Sequence, residues 1–133
     1  MIPYGRQSIS REDVEAVVEV LRSDFLTQGP TVPAFERAVA EQVGARFGIA
    51  VNSATSALHV GCLALGLGPG DSLWTSANTF VASANCARYC GASVDFVDID
   101  ARTANMSTQV LADKLHHARR TGSRLPKVVV PVH

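Results

Sequence analysis

Two short runs of small polar residues each follow an apolar segment, and both could form part of a ligand site. The first, NSATS at 52–56, lies between an apolar run at 47–51 and an apolar helical segment at 57–65. Unpaired backbone N–H groups at the start of such a helix, with the hydroxyls of Thr55 and Ser56, can bind a phosphate or a carboxylate. Ordinary N-capping of the helix is the alternative interpretation of this run. The run contains neither a Walker lysine motif nor a G-x-G-x-x-G motif, so the known nucleotide-binding loops do not apply.

The second run, TSANTF at 75–80, follows a predicted strand and ends in an aromatic residue at the start of a predicted helix. The ring of Phe80 could lie against a flat aromatic ligand, since offset stacking contributes about 0.5–1.5 kcal/mol. A place in the hydrophobic core is the alternative for this side chain.

The other residues with metal-binding side chains do not form a recognised pattern. Asp95, Asp98 and Asp100 lie in or just after a predicted strand, where carboxylates are usually solvated. His116 and His117 are adjacent in a predicted helix and therefore face different sides. The chain has three cysteines, Cys62, Cys86 and Cys90. Their number and spacing do not complete a zinc site, so we expect buried thiols in a reducing compartment.

Short apolar strands alternate with helices along most of the chain, which predicts an α/β fold with a mainly parallel sheet. The predicted strands are 47–51, 73–75, 94–99 and 127–132. The predicted helices of this part are 57–65, 80–90 and 108–120. Two further helices, one starting at Ser10 and one at 32–43, precede them. We therefore expect a helical arm at 1–45 and a sheet domain at 46–133, which ends so soon after a strand that the domain should be incomplete.

Composition excludes several classes of function. The sequence has 133 residues, with 12 Lys and Arg against 12 Asp and Glu, so it lacks the excess positive charge that nucleic-acid binding requires. Hydrophobic residues make up 47% and charged residues 18%, enough apolar surface for a folded core. No apolar stretch has the length of a signal peptide or a membrane span. We expect a cytoplasmic protein that binds neither nucleic acid nor a membrane.

In this order, the motifs also carry a family resemblance. The chain resembles the DegT/StrS class of sugar-nucleotide aminotransferases, which use pyridoxal 5'-phosphate (PLP). The matching blocks are IPY at 2–4, LTQG at 26–29, NSATSAL at 52–58 and TSANTFVAS at 75–83, extended by 91–92, 97–100 and 131–133. The resemblance implies the large domain of the aspartate-aminotransferase fold, PLP fold type I. The residues of these blocks are most similar to the corresponding motifs of family members that act in pseudaminic acid biosynthesis. Those members aminate C4 of a UDP-linked 4-keto-6-deoxy-N-acetylhexosamine with L-glutamate.

The resemblance also implies roles for individual residues. Thr55 and Ser56 would hold the PLP phosphate, and Phe80 would stack on the pyridine ring. Positions that line the site for a UDP- or dTDP-linked keto sugar in the family match Tyr4, Asp24, Phe25, Leu26, Thr27 and Ala54. The site would lie at the interface of a homodimer, so that both subunits contribute to it.

One departure from the family is large. Lys114 and Lys127 are the only lysines of the chain, and neither matches the motif of the lysine that binds PLP covalently. The acid that pairs with the pyridine nitrogen is also missing. The 133-residue chain alone should therefore be inactive, and its cut sheet should make it poorly soluble or oligomeric. Two alternatives stay open: a PLP-dependent sugar dehydratase, in which histidine replaces the lysine, or a truncated, non-catalytic module that binds a phosphorylated ligand.

Overall fold

The structure is a computed structural model that describes residues 5–132. The chain divides into two compact units, 1–50 and 51–133. The first unit contains helices α1 (Arg11–Arg22) and α2 (Thr31–Gln42). The second contains α3 (Ala54–Ala64), β1 (Ser72–Ser76), α4 (Ala82–Tyr89), β2 (Ser93–Val97), α5 (Thr108–Thr121) and β3 (Val128–Val130). Placing the end of the helical arm at residue 45 stays a prediction.

Helix α1 begins where its sequence predicts. The backbone N–H of Asp13 donates to Ser10 Oγ at 3.2 Å, and the N–H of Ser10 donates to Asp13 Oδ2 at 2.8 Å. This reciprocal capping box satisfies two N–H groups that a helix start otherwise leaves unpaired. Glu12 and Asp13 also place negative charge at the positive end of the helix dipole. The capping box and the two acids thus supply negative charge to the first turn of α1 from within the chain.

The three strands form a parallel sheet in the order β2-β1-β3, which confirms the predicted α/β class. β1 is central and buried along its whole length, as expected for a parallel strand covered on both faces. Leu73 pairs with Val94 on one side and with Val128 on the other, and all three pack against α3 and α4. Trp74 points to the opposite face, where it packs with Val97 and helix α5.

The cysteines confirm the prediction of buried thiols. Cys62 on α3 and Cys86 and Cys90 on α4 are free and lie in the core between the two helices. Burial, together with the neighbouring thiols, raises the pKa of Cys62 to about 12, so its side chain is a protonated, apolar packing group. No helix within residues 5–132 has both the length and the apolar character needed to cross a bilayer.

The predicted strand at 47–51 is wrong. These residues belong to no helix or strand, and Phe47 and Ile49 are 73% and 78% exposed. A strand needs a neighbour to pair its backbone groups, and no strand of the described chain lies beside this run. The sheet consequently has three strands rather than four. An apolar run signals burial, but it does not reveal whether a pairing partner is available.

The remaining boundaries shift by a few residues. α3 begins at Ala54, three residues before the predicted start, because Ser53 caps it. α4 begins at Ala82 rather than at 80. β2 ends at Val97, and Ile99 forms only an isolated antiparallel bridge with Met106. β3 is limited to Val128–Val130.

Candidate functional site

The start of α3 lies at the carboxyl end of the sheet. Lys127, just before β3, donates from Nζ to the carbonyl of Gly66 at 2.6 Å, so the segment that follows α3 lies at the amino end. α3 has 11 residues and rises about 16 Å, close to the length of a five-residue strand. The opposite end of the helix therefore reaches the carboxyl ends of the strands, where ligands bind in open parallel sheets.

The first turn of α3 leaves two backbone donors free. Ser53 caps the helix by accepting the N–H of Ser56 on its Oγ at 3.2 Å. The N–H groups of Ala54 and Thr55 have no acceptor within residues 5–132. The first turn also contains no acidic residue, in contrast to α1. Two N–H groups at the positive end of a helix dipole are thus available to an anion.

The hydroxyl groups around this turn differ in availability. Ser56 Oγ donates to Asn52 Oδ1 at 2.7 Å and lies 3.1 Å from Ser53 Oγ, so it belongs to a local network. Thr55 Oγ1 is half-buried and makes no hydrogen bond to the described chain. Of the two hydroxyls singled out from the sequence, that of Thr55 is the free one. Asn52 belongs to the run predicted from the sequence, but its hydrogen bond with Ser56 was not foreseen, although Asn side chains often form such local bonds before a helix.

Phe80 lies at the same end of the sheet. The loop 77–81 leaves β1 at its carboxyl end, anchored by the N–H of Ala77, which donates to the carbonyl of Val97 at 3.0 Å. Thr79 Oγ1 and Ser83 Oγ lie 2.9 Å apart and join the loop to the start of α4. The Phe80 side chain is 73% exposed, so it is not a core residue of the described unit. Its ring is available to a flat ligand.

Ser76, the last residue of β1, was not recognised from the sequence. Its side chain is fully buried, and its Oγ is the one buried side-chain N or O atom of residues 5–132 without a hydrogen-bond partner. The preceding hydroxyl, Thr75 Oγ1, donates to the carbonyl of Val130 at 2.9 Å. An unpaired buried hydroxyl destabilises a fold by about 1–3 kcal/mol, which makes its position beside the site notable.

Both lysines are engaged away from this site. Lys127 Nζ lies 2.9 Å from Asp71 Oδ2 at the amino end of the sheet. Lys114 Nζ lies 2.7 Å from Asp95 Oδ2 and donates to the carbonyl of Phe96 at 2.6 Å. Both amines are thus ion-paired away from the first turn of α3.

The first unit contains the other predicted contact residues. Asp24 and Phe25 line a cavity of about 490 Å³ between the end of α1 and the start of α2. Leu26 and Thr27 are exposed in the same loop but do not line it. Gln28 has a positive φ of 55°, and a Cβ at Gly29 would lie 2.9 Å from Phe25 Cβ, so this turn requires glycine. Ala54 is the exposed first residue of α3, and Tyr4 lies outside the described residues.

Comparison with known proteins places these features in a family. The chain is 41% identical over 132 residues to the spore coat polysaccharide biosynthesis protein SpsC of Bacillus subtilis, covering 99% of this chain and 32% of SpsC. It is 36% identical, with the same coverage, to the UDP-4-amino-4-deoxy-L-arabinose–oxoglutarate aminotransferase of Shewanella sediminis. The chain therefore spans about a third of the length of these relatives.

A solved structure agrees with the fold. The chain aligns with Spr1654 of Streptococcus pneumoniae, a protein assigned as a sugar aminotransferase and solved in its PLP-form, at a TM-score of 0.78 and 33% identity. The match covers 84% of this chain and 29% of that structure. This confirms PLP fold type I as the fold class and, at the level of the family, PLP as the cofactor and aminotransferase as the enzyme class. The model of the DegT/DnrJ/EryC1/StrS aminotransferase family matches residues 7–133, and the chain belongs to this family.

Proposed function

We propose that the protein to which these residues belong is a PLP-dependent aminotransferase that moves the amino group of L-glutamate to a nucleotide-linked keto sugar. The observation that carries this proposal is the first turn of α3, where two N–H groups and the Thr55 hydroxyl lack partners within the described chain. They lie at the same end of the sheet as the exposed ring of Phe80. A phosphate and a flat ring are the two parts of PLP that a protein must hold.

The residues present fit the cofactor in part. The N–H groups of Ala54 and Thr55 and the Thr55 hydroxyl would bind the phosphate, which matches the positive end of the helix in charge. Ser56, whose hydroxyl is bonded to Asn52, would act through the shape of the turn. Phe80 would pack against the pyridine ring. Bound PLP supplies an electron sink for amino-group transfer, while the protein orients it.

The substrate assignment rests on the relatives and on the loop 24–27. The name of the Shewanella relative contains a UDP-linked amino sugar and oxoglutarate, the keto acid that corresponds to glutamate. We propose a UDP- or dTDP-linked 4-keto-6-deoxy sugar as the acceptor of the amino group. More specifically, we propose that this sugar is a precursor of pseudaminic acid. Tyr4, Asp24, Phe25, Leu26, Thr27 and Ala54 would contact this substrate. A homodimer would complete the site.

The 133-residue chain should be inactive by itself. Lys114 and Lys127 are paired with carboxylates away from the first turn of α3, so we expect neither to bind PLP covalently. The experiment is to express the complete reading frame that contains these residues and to compare it with the 133-residue chain. The longer protein should show the visible absorbance of bound PLP, lose it on addition of L-glutamate and release 2-oxoglutarate.

Two variants make the test specific. Thr55→Val removes the free hydroxyl and should weaken PLP binding about tenfold, as expected for one hydrogen bond to a charged group. Thr108→Val changes the exposed first residue of α5, which also follows a capping serine, and should have no effect. A longer protein that never binds PLP would contradict the proposal. Loss of water from the sugar without amine transfer would instead identify a dehydratase.

A further inference from the structure

A cleft opens on the face of the sheet that contains Trp74 and packs against α5, opposite the face that packs against α3 and α4. It has a volume of about 570 Å³ and lies against α5, where it reaches the first residues of β1 and β2. Its lining includes Ser72, Trp74, Asp95, Lys114, His117 and Arg124. The candidate PLP site lies beyond the opposite end of β1, a five-residue strand about 16 Å long. The volume is within the range of small-molecule sites and larger than an inorganic ion needs.

The hydrogen-bond acceptors around this cleft are already occupied. Asp95 Oδ2 pairs with Lys114 at 2.7 Å, and Asp95 Oδ1 accepts the N–H of Phe96 at 2.8 Å. At the end of α5, the carbonyl of His117 accepts from Thr121 Oγ1 at 3.0 Å. The carbonyl of Ala118 accepts the N–H of Ser123 at 2.9 Å. The carbonyls of His117 and Ala118, which border the cleft, are therefore satisfied within α5 and its cap.

Several donors of the same cleft are not occupied. The indole N–H of Trp74, the hydroxyl of Ser72, the imidazole of His117 and the guanidinium of Arg124 make no hydrogen bond to any residue of 5–132. Ser72 and Trp74 are 7% and 3% exposed, so their donors belong to the floor of the cleft. Lys114 and Asp95 cancel in charge, which leaves Arg124 as the permanent charge without an ion-pair partner in the lining, although the Asp71 carboxylate outside the cleft feels its charge.

We propose that this cleft binds a small organic molecule through an oxyanion, a phosphate or a carboxylate group. The lining offers positive charge and free donors, whereas the Asp95 carboxylate and the His117 and Ala118 carbonyls already accept hydrogen bonds, so an acceptor-rich anion is the complementary ligand. Arg124 and His117 recognise the oxyanion, and Ser72 and Trp74 donate to it at the floor. The site is independent of PLP and of the aminotransferase reaction.

The cleft contains its own reporter. Trp74 is the only tryptophan of the sequence, and Lys114 Nζ lies 4.8 Å from the centre of its ring. The purified protein from the complete reading frame is titrated with inorganic pyrophosphate and, separately, with citrate, while tryptophan fluorescence is recorded, and the variant Trp74→Phe identifies the part of the signal that comes from Trp74. Sodium chloride at equal ionic strength is the reference. We expect a saturable change with one or both anions, and the anion that saturates tells a phosphate site from a carboxylate site.

Variants locate the effect. Arg124→Gln and His117→Asn should each weaken binding at least fivefold, while Arg88→Gln, an exposed arginine at the end of α4, should bind as the wild type does. Circular dichroism confirms that each variant is folded. A fluorescence response no different from that to sodium chloride would overturn the proposal. Saturable binding that both cleft variants retain would overturn it too, since the anion would then bind elsewhere.

Discussion

The amino and carboxyl ends of the parallel sheet satisfy their polar groups in different ways. At the amino end, Lys127 bridges the carbonyl of Gly66 and the carboxylate of Asp71, which also accepts the N–H of Gly68 at 3.0 Å. The carbonyl of Asp71 in turn accepts from the N–H and the hydroxyl of Ser93. Lys127 and Asp71 together thus link the starts of all three strands.

At the carboxyl end, polar groups remain unpaired. The N–H groups of Ala54 and Thr55 have no acceptor in the described chain, the hydroxyl of Ser76 is buried without a partner, and Phe80 is exposed. Backbone donors at a helix start are fixed in place and need no rearrangement when an anion binds. The comparison indicates that the Lys127–Asp71 bridge at the amino end stabilises the fold, whereas the first turn of α3 at the carboxyl end is free to bind an anion. Substitutions at the two ends should therefore separate stability from binding.

The largest expected effect is at the carboxyl end. Thr55→Glu, in the protein expressed from the complete reading frame, introduces a negative charge where the PLP phosphate would bind. We expect PLP to bind about 100-fold more weakly or not at all, because repulsion replaces a charge-assisted hydrogen bond. Thermal stability should not fall, since an acid in the first turn suits the helix dipole. Absorbance titration with PLP measures the effect.

Thr108→Glu is the matched control, because it adds the same charge to the first turn of α5, which is also capped by serine. It should leave PLP binding unchanged. If both variants bind PLP as the wild type does, the first turn of α3 is not the phosphate site.

The next effect is at the amino end. Lys127→Met keeps the length of the side chain but removes its bonds to Gly66 and Asp71. The hydrogen bond from Lys127 holds the pKa of Asp71 below its usual value, so the carboxylate would lose its main partner. We expect Tm to fall by a few degrees, with PLP binding by the folded protein unchanged. Equal loss of stability in Arg88→Gln, measured in parallel, would argue against a specific role for this bridge.

The adjacent hydroxyls of Thr75 and Ser76 at the end of β1 allow a direct comparison between a paired and an unpaired buried polar group. Thr75→Val removes a buried hydroxyl that donates to the carbonyl of Val130 and should cost about 1 kcal/mol in the free energy of unfolding. Ser76→Ala removes a buried hydroxyl without a partner and should be neutral or stabilising. Denaturant unfolding of the two variants measures the difference. A larger loss for Ser76→Ala would show that this hydroxyl has a partner that the structure does not contain.

The smallest effect concerns pH. Burial alone would raise the pKa of Asp95, but the Lys114 amine and the N–H of Phe96 outweigh it, and the pKa is lowered. A carboxyl group whose pKa is lowered by folding stabilises the fold above its unfolded value, about 3.9, and this contribution disappears as pH falls through the folded pKa. Solvent screens the half-exposed pair, so it contributes about 0.5 kcal/mol.

The variant Lys114→Met should therefore have a slightly lower Tm than the wild type near neutral pH. The difference in Tm should shrink as the pH falls below about 4. Calorimetry at a series of pH values measures it. A difference in Tm that stays constant across the series would mean that Lys114 stabilises by packing on Trp74 rather than through Asp95.

Most helix starts and the main residues of the candidate site could be predicted from local sequence. Ser10 and Ser107 each accept a backbone N–H at a predicted helix start, because this interaction involves residues only three positions apart, whereas the cap of α3 at Ser53 lies before the predicted start at residue 57. The polar run before α3 and the aromatic residue after β1 were both found in this way. Whether a hydroxyl is free was not predictable: Ser56 bonds to Asn52, whereas Thr55 does not. Side-chain rotamers in the folded turn decide that.

The sequence by itself determined the elements and the family, since caps, apolar runs and the order of motifs are local properties of the chain. Only the tertiary structure decided that Lys114 and Lys127 are paired with carboxylates, because their partners are 19 and 56 residues away. It also decided that the run at 47–51 is not a strand. Pairing between strands depends on which segments meet in space, and an apolar run specifies that a segment avoids water without specifying its neighbour.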